Sequence, residues 1–467
     1  MLDILKAGSG SASAIGAPER PPLSYDGLRK LAGDTIATLN GMGIGRNDRV
    51  AIVLPNGPEM ATAFVTIAGA ATTAPLNPAY RADEFEFYLS DLDARALVLD
   101  ATGNAAAEEV AARLKIPVIR LEVAAGVPAG TFTLRSDLKG AAAHPGPSQP
   151  GDTALVLHTS GTTSRPKIVP LTVANLTASA RNIRASLQLT PADRCLNIMP
   201  LFHIHGLIAA VSSSLSAGAS VICTPGFNAL KFFQWLDEAK PTWYTAVPTM
   251  HQAILARAPR NQESVARAKL RFIRSSSSSL PPRQHKAGSV GLAAGPEMAI
   301  LAPDGRLCGP GEVGEICIRG DNVTAGYEKN PKANGEAFAY GWFHTGDQGT
   351  VDEEGYYRIT GRLKEIINRG GEKISPREVD EVIMDHPAVA QVVTFGMPHA
   401  KLGEEVAAVV VLREGQTATE RDIREFCATR LADFKVPRKV LFMDEIPKGA
   451  TGKLQRIGLA EKLGLSA

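Results

Sequence analysis

The stretch TALVLHTSGTTSRPK, Thr153 to Lys167, joins an apolar run to a loop of hydroxyls, one glycine and cations. Its opening residues read as a short buried strand. The segment that follows, TVANLTASARNIRASLQL, has the apolar spacing of a helix. A strand handing over to a helix is the unit from which helix-covered parallel sheets are built. The same alternation recurs from about Leu23 to Pro281. YDGLRKLAGDTIATLNGM predicts a helix with Leu28, Leu31, Ile36 and Leu39 on its inner face. DRVAIVLP, ARALVLD, IPVIRLE, RCLNIMP, ASVICTP, TWYTAVP and LRFIRSS predict further short strands.

From GSVGLAAGPEMAILAPDGRLCGPGEVGEICIRG onward the texture changes to hairpins, with Pro303-Asp304-Gly305 as a turn signal. A third pattern begins near Gly361. There SPREVDEVIMDH predicts a helix with Ser375 as N-cap, Pro376 at the first helical position and Glu378 two residues on. The fold class is therefore α/β. A large N-terminal domain of helix-covered parallel sheets with a β-rich subdomain spans 1–361, and a small mobile α+β domain spans 362–467.

The chain has 467 residues, too many for one ordinary core. Hydrophobic residues make up 44% and charged residues 21%, as in globular proteins. Lys and Arg number 50 against 48 Asp and Glu, which argues against a dedicated nucleic-acid or membrane-surface binder. Cys195, Cys223, Cys308, Cys317 and Cys427 form no CxxC pair and read as reduced thiols. No secretory signal, lipid anchor or membrane span is legible, so the expected compartment is cytoplasmic.

The loop after the strand is not a Walker A loop, since GxxxxGK[ST] is absent. It still has what a polyphosphate needs. Gly161 lets the backbone approach closely. Thr159, Ser160, Thr162 and Thr163 supply hydroxyls, and Lys167 adds a point charge. A polar surface loop is the competing reading. In PLFHIHGL, His203 and His205 would share a face if the segment were a strand, as a packed or substrate-facing pair. The serine tract Ser275 to Ser279 ends the LRFIR strand, where open α/β sheets bind ligands. Asp347, in the Gly-rich turn of YGWFHTGDQG, suits two vicinal hydroxyls, as in ribose. TGRLKEIINRGGEKISP carries Arg362, Lys364, Gly370 and Gly371, and PKGATGKLQR carries Lys448, Lys453 and Arg456. Each cluster also reads as solvated charge.

The order of these motifs is more specific than any one of them. Hydroxyl loop, histidine pair, TGD, GRxK, RGGEKISP and PKxxxGK together resemble the adenylate-forming superfamily of acyl- and aryl-CoA synthetases, firefly luciferases and peptide-synthetase adenylation domains. The resemblance covers residues 20 to 460. HTSGTTSRPK, PLFHIHGL, WYTAVPTMHQAIL and INRGGEKISP look most like oxalate–CoA ligases.

That resemblance implies ATP, Mg2+ and coenzyme A, with a small carboxylate as substrate, and no carrier-protein domain. It implies Thr159, Ser160, Gly161, Thr162, Thr163 and Lys167 on the β- and γ-phosphates. It implies Asp347 on the ribose and Arg362 on the ribose or α-phosphate. Lys453 becomes the adenylation lysine, with His203 as a second catalytic candidate. His203, His205, Ser277 and Ser279 border the acyl group, Gly370 and Gly371 line a coenzyme A tunnel, and Lys364 is a hinge.

Two departures stand beside it. Ile168 replaces the usual glycine, which matters only if that position needs a positive φ. In SSSSSLPPRQHKAGSVG, a few dozen residues with a Tyr-Gly-Met-Thr-Glu motif are missing. They would supply the magnesium carboxylate, so the metal ligands are unknown. Their loss would remove a strand and unpair its neighbours. Other small-, aryl- or fatty-acyl-CoA synthetases, or a non-catalytic nucleotide-binding relative, are the alternatives.

Overall fold

The computed structural model describes residues 1–159, 166–275, 286–447 and 456–465. Ser160, Gly161, Thr162, Thr163, Ser277, Ser279, Lys448 and Lys453 lie outside the described residues. Two sheets carry the N-terminal part. The seven-stranded sheet runs Thr133–Arg135, Val118–Glu122, Ala96–Asp100, Arg49–Val53, Thr72–Pro75, Thr153–His158, Ile168–Thr172. Its inner pairs are parallel and its two outermost pairs antiparallel. The six-stranded sheet runs Phe272–Ser275, Trp243–Ala246, Arg194–Asn197, Ser220–Cys223, Ser13–Ala17, Arg20–Ser24, parallel up to the last hairpin.

Sequence texture explains this layering. Ala96 to Leu99 are all buried, so the run shows no polar alternation, as a strand covered on both faces requires. In the helix Pro58–Ala68 every residue except Glu59 is buried. A helix apolar all round belongs between layers. Its Met60, Phe64 and Ile67 share one core with Val50 and Ile52 of the first sheet and Ile15 and Val221 of the second.

The sequence reading does not foresee the hairpin Ser13–Ala17/Arg20–Ser24. RPPLS holds two prolines, which a strand accepts only at an edge, and it is the edge. Nor does it foresee the antiparallel strand Ile168–Thr172. Ile168 opens that strand opposite His158 and is buried, so its branched side chain sits in ordinary extended backbone.

Four antiparallel strands, Glu297–Leu301, Gly314–Arg319, Phe343–Val351 and Tyr357–Arg362, form the third sheet. Asp347 therefore lies inside a strand rather than a turn, with Gly346 at φ +76° bending the chain just before it. The C-terminal sheet comprises Ile367–Arg369, Glu372–Ile374, Val389–His399, Gly403–Leu412 and Lys439–Phe442 around its own apolar cluster. The helix Pro376–Met384 starts as expected, with Ser375 at the cap position. The Ser375 hydroxyl does not cap it, however. It donates to the Thr360 carbonyl, and Glu378 instead takes the Lys435 ammonium at 2.6 Å.

All five cysteines are free thiols. Among the described residues no helix is long and apolar enough to cross a membrane. Phe272–Ser275 is an edge strand among those residues, and its Ile273 is 54% exposed.

Candidate active site

The hydroxyl loop springs from a hairpin whose base is closed twice. The Thr159 amide donates to the Lys167 carbonyl at 2.9 Å, and the Lys167 amide donates to Thr159 Oγ1 at 3.0 Å. Lys167 Nζ lies 4.6 Å from the centre of the Tyr327 ring, a cation–π contact that holds it beside the third sheet. The next helix, Val173–Ser186, starts at Thr172, which forms a reciprocal cap with Asn175. A strand before the loop and a helix after it are what the sequence predicts; the strand Ile168–Thr172 between them and the Thr172 cap are not.

His203 and His205 are not in a strand. The chain turns after Pro200, and a π-helical stretch runs His205–Ser212. Gly206 permits the turn, because a Cβ there would meet the Pro200 carbonyl oxygen at 2.4 Å. Period-2 reasoning fails here because the apolar run is helical. His203 is exposed and packs against Phe202, while His205 is half-buried.

His205 Nε2 lies 2.7 Å from Thr245 Oγ1 and 3.2 Å from Arg274 Nη1, and that same Nη1 is 3.3 Å from Thr245 Oγ1. Thr245 and Arg274 are direct neighbours across two parallel strands, close to their carboxyl ends. Arg274 can only donate, so Nε2 is the accepting nitrogen of a neutral ring and Nδ1 carries the proton. Burial, then the Arg274 charge, lowers the His205 pKa to about 4. Arg274 and Thr245 escaped the sequence reading. The available signal was the second arginine of LRFIRSS, late in the strand at the ligand end of a parallel sheet.

Thr159, His203 and His205 meet on one cavity of about 380 Å3, together with Tyr80, Met199 and Phe202. No carboxylate lines it among the described residues. Nothing in this cavity fits a magnesium ion, which asks for oxygen ligands that include a carboxylate.

Asp347 and Arg362 face each other across the third sheet, with Oδ1 and Nε 2.9 Å apart. Glu315 fixes this strand. One of its carboxylate oxygens accepts the Gly346 amide at 2.8 Å, and the other lies 2.8 Å from His344 Nδ1. Thr345 Oγ1 donates to the Ile316 carbonyl and accepts the Asp347 amide. Cys317 is 3.5 Å from the same histidine nitrogen, and burial pushes its thiol pKa up to about 12. The Glu315–His344 contact thus serves as a lock on the strand that presents Asp347.

Lys364 sits in a short 3-10 turn, Leu363–Glu365, between the third and fourth sheets. Gly370 and Gly371 form the two-residue tip of a hairpin, at φ +59° and +100°. That tip needs glycine for its backbone alone. Arg456, three residues beyond Lys453, pairs with Asp380 and lies 3.8 Å from Glu365.

The AMP-binding enzyme family matches residues 11–284 and 273–328, and the AMP-binding enzyme C-terminal domain matches residues 378–453. This chain belongs to the AMP-binding enzyme family. Within that family it is 47% identical over 453 residues to an oxalate–CoA ligase of Arabidopsis thaliana, covering 89% of this chain and 88% of that one. It is 37% identical to an oxalate–CoA ligase of Saccharomyces cerevisiae, covering 90% and 88%. ATP-bound MatB from Rhodopseudomonas palustris shares the fold at TM-score 0.87 and 27% identity, covering 98% of each chain. The apo form of MatB superposes less closely, at TM-score 0.77. The separate C-terminal domain is part of this shared architecture. The family matches in two overlapping pieces that meet near residue 284. The Arabidopsis alignment runs over 453 positions yet takes in 89% of 467 residues, so a few dozen positions of the relative face no residue here.

Proposed function

We propose that the chain is an ATP-dependent, AMP-forming carboxylate–CoA ligase whose acid is oxalate. One carboxylate oxygen attacks the α-phosphorus of ATP. The bond from that phosphorus to the bridging oxygen breaks, and pyrophosphate leaves. The thiol sulfur of coenzyme A then attacks the acyl carbon, losing its proton, and AMP departs with the former carboxylate oxygen.

The observation that carries this reading is the convergence of Thr159, His203 and His205 as polar groups on one small, otherwise largely apolar cavity at the phosphate-loop base. Thr159 to Thr163 and Lys167 hold the β- and γ-phosphates, Asp347 the ribose hydroxyls, and Arg362 the ribose or α-phosphate. Lys453 bridges the incoming carboxylate and the α-phosphate. Two anions must meet there, and positioned donors of this kind each contribute about 3–4 kcal/mol to the transition state. His203, His205, Ser277 and Ser279 hold the second carboxylate. The domain boundary is at 361/362, Lys364 is the hinge, and Gly370 and Gly371 admit the pantetheine arm because a side chain would fill its path. ATP, coenzyme A and a small acid are its partners, Mg2+ enters with the nucleotide, and the compartment is cytoplasmic. Closer superposition on the ATP-bound than the apo form of MatB supports a nucleotide-binding arrangement.

A second reading rests on the gap near residue 284: a relative that binds nucleotide without turning it over. Carboxylate-dependent ATP–pyrophosphate exchange separates the two. Oxalate is expected to support exchange above acetate, malonate, benzoate and a fatty acid. ATP binding with no exchange for any acid establishes the second reading.

A further inference from the structure

Arg274 is half-buried, and its Nε is buried with no hydrogen-bond partner among the described residues. Among the described residues its Nη1 reaches Thr245 and His205, both uncharged groups. No carboxylate pairs with it among the described residues, and residues 160–165, 276–285, 448–455 and 466–467 carry no acidic side chain. A desolvated guanidinium without a counter-charge is costly in any fold. The charge stands directly behind His205, which lines the cavity.

We infer that Arg274, acting through Thr245 and His205, is the positioning residue that makes this cavity select a dicarboxylate. The guanidinium donates to Thr245 Oγ1, and the threonine hydroxyl donates to His205 Nε2. That fixes His205 in the tautomer whose remaining donor, Nδ1–H, is free for a ligand oxygen. The uncompensated positive charge behind the ring favours a second carboxylate over a methyl or hydrogen at that place. Thr245 and Arg274 are register partners on neighbouring strands, so the relay is set by the sheet itself. The inference rests on the ligase reading and adds the group that discriminates between acids.

The test compares oxalate with acetate and glyoxylate in ATP–pyrophosphate exchange, for the wild type, Arg274→Met, Arg274→Lys and Thr245→Val. Arg274→Met is expected to raise KM for oxalate by roughly 10- to 100-fold and to leave both monocarboxylates unchanged or improved. Arg274→Lys keeps the charge without the fork and should fall between. If Arg274→Met does not fold, the lysine and valine variants carry the comparison. Nitrogen-15 NMR of His205 should show the Nδ1–H tautomer in the wild type and a mixture in Arg274→Met, where no obligate donor faces Nε2. Equal losses for all three acids, or no change for oxalate, overturn the inference. Equilibrium dialysis with labelled oxalate separates the two levels. Oxalate bound without exchange, and lost in Arg274→Met, keeps this inference and sinks the ligase reading. Oxalate exchange untouched by Arg274→Met does the reverse, and no oxalate binding to the wild type overturns the inference outright.

Discussion

Single residues carry two separable predictions. Asp347 is one-quarter exposed and held by a strand that Glu315 locks, so removing its carboxylate should leave the fold intact. Asp347→Ala is expected to raise KM for ATP by roughly 10- to 100-fold with little change in melting temperature, as loss of charge-assisted hydrogen bonds implies. A melting shift as large as that of a core mutation would place the residue in the scaffold instead. His205 carries the second prediction. Its pKa falls from an ordinary 6.5 to about 4 in the fold. The unfolded chain therefore takes up a proton that the native state refuses. The resulting stability is fully present above about pH 6.5 and is lost progressively as pH falls to about 4, at most about 3 kcal/mol. Urea unfolding across that range should show the loss, and His205→Gln should flatten it.

Elements were legible where one force dominated. Ala96 to Leu99 announces burial on both faces, and its strand is where the pattern puts it. The helix that follows the hydroxyl loop also stands where its apolar spacing predicts it. Legibility ended where tertiary contacts decide. The Ser375 hydroxyl left its helix for the Thr360 carbonyl, and His205 opened a π-helix because Gly206 lets the backbone fold onto Pro200. Arg274 reads as a strand residue until Thr245 and His205 are placed beside it. The hairpin tip Gly370-Gly371 makes a prediction at this scale. Valine at position 371 meets a φ of +100°, outside ordinary L-residue space. Gly371→Val should cost about 1–2 kcal/mol of stability. It should also abolish thioester formation while sparing pyrophosphate exchange, and an equal fall in both half-reactions would remove the tunnel role.

At the scale of the whole molecule, the C-terminal lobe is tied near its junction by Arg456. This residue reaches Asp380 in the lobe's helix and Glu365 in the turn that holds Lys364. Burial raises the Asp380 pKa to about 6 despite the arginine, so the anchor is sensitive to its surroundings. Lys364→Pro restricts the backbone at the proposed hinge. It is expected to preserve adenylate formation and lose transfer to coenzyme A, read by exchange and by thioester release from preformed acyl-adenylate. The edge strand Phe272–Ser275, outermost among the described residues, bears on the molecule as a whole, since the family model matches in two overlapping pieces just beyond it and the Arabidopsis relative has a few dozen positions that face no residue here. Whether chemistry survives that loss is decided most directly by following one oxygen. With oxalate labelled in both carboxylates by oxygen-18, ATP and coenzyme A, the account predicts one labelled oxygen in the phosphate of the AMP released. Unlabelled AMP, label in inorganic phosphate, or no AMP at all contradicts it.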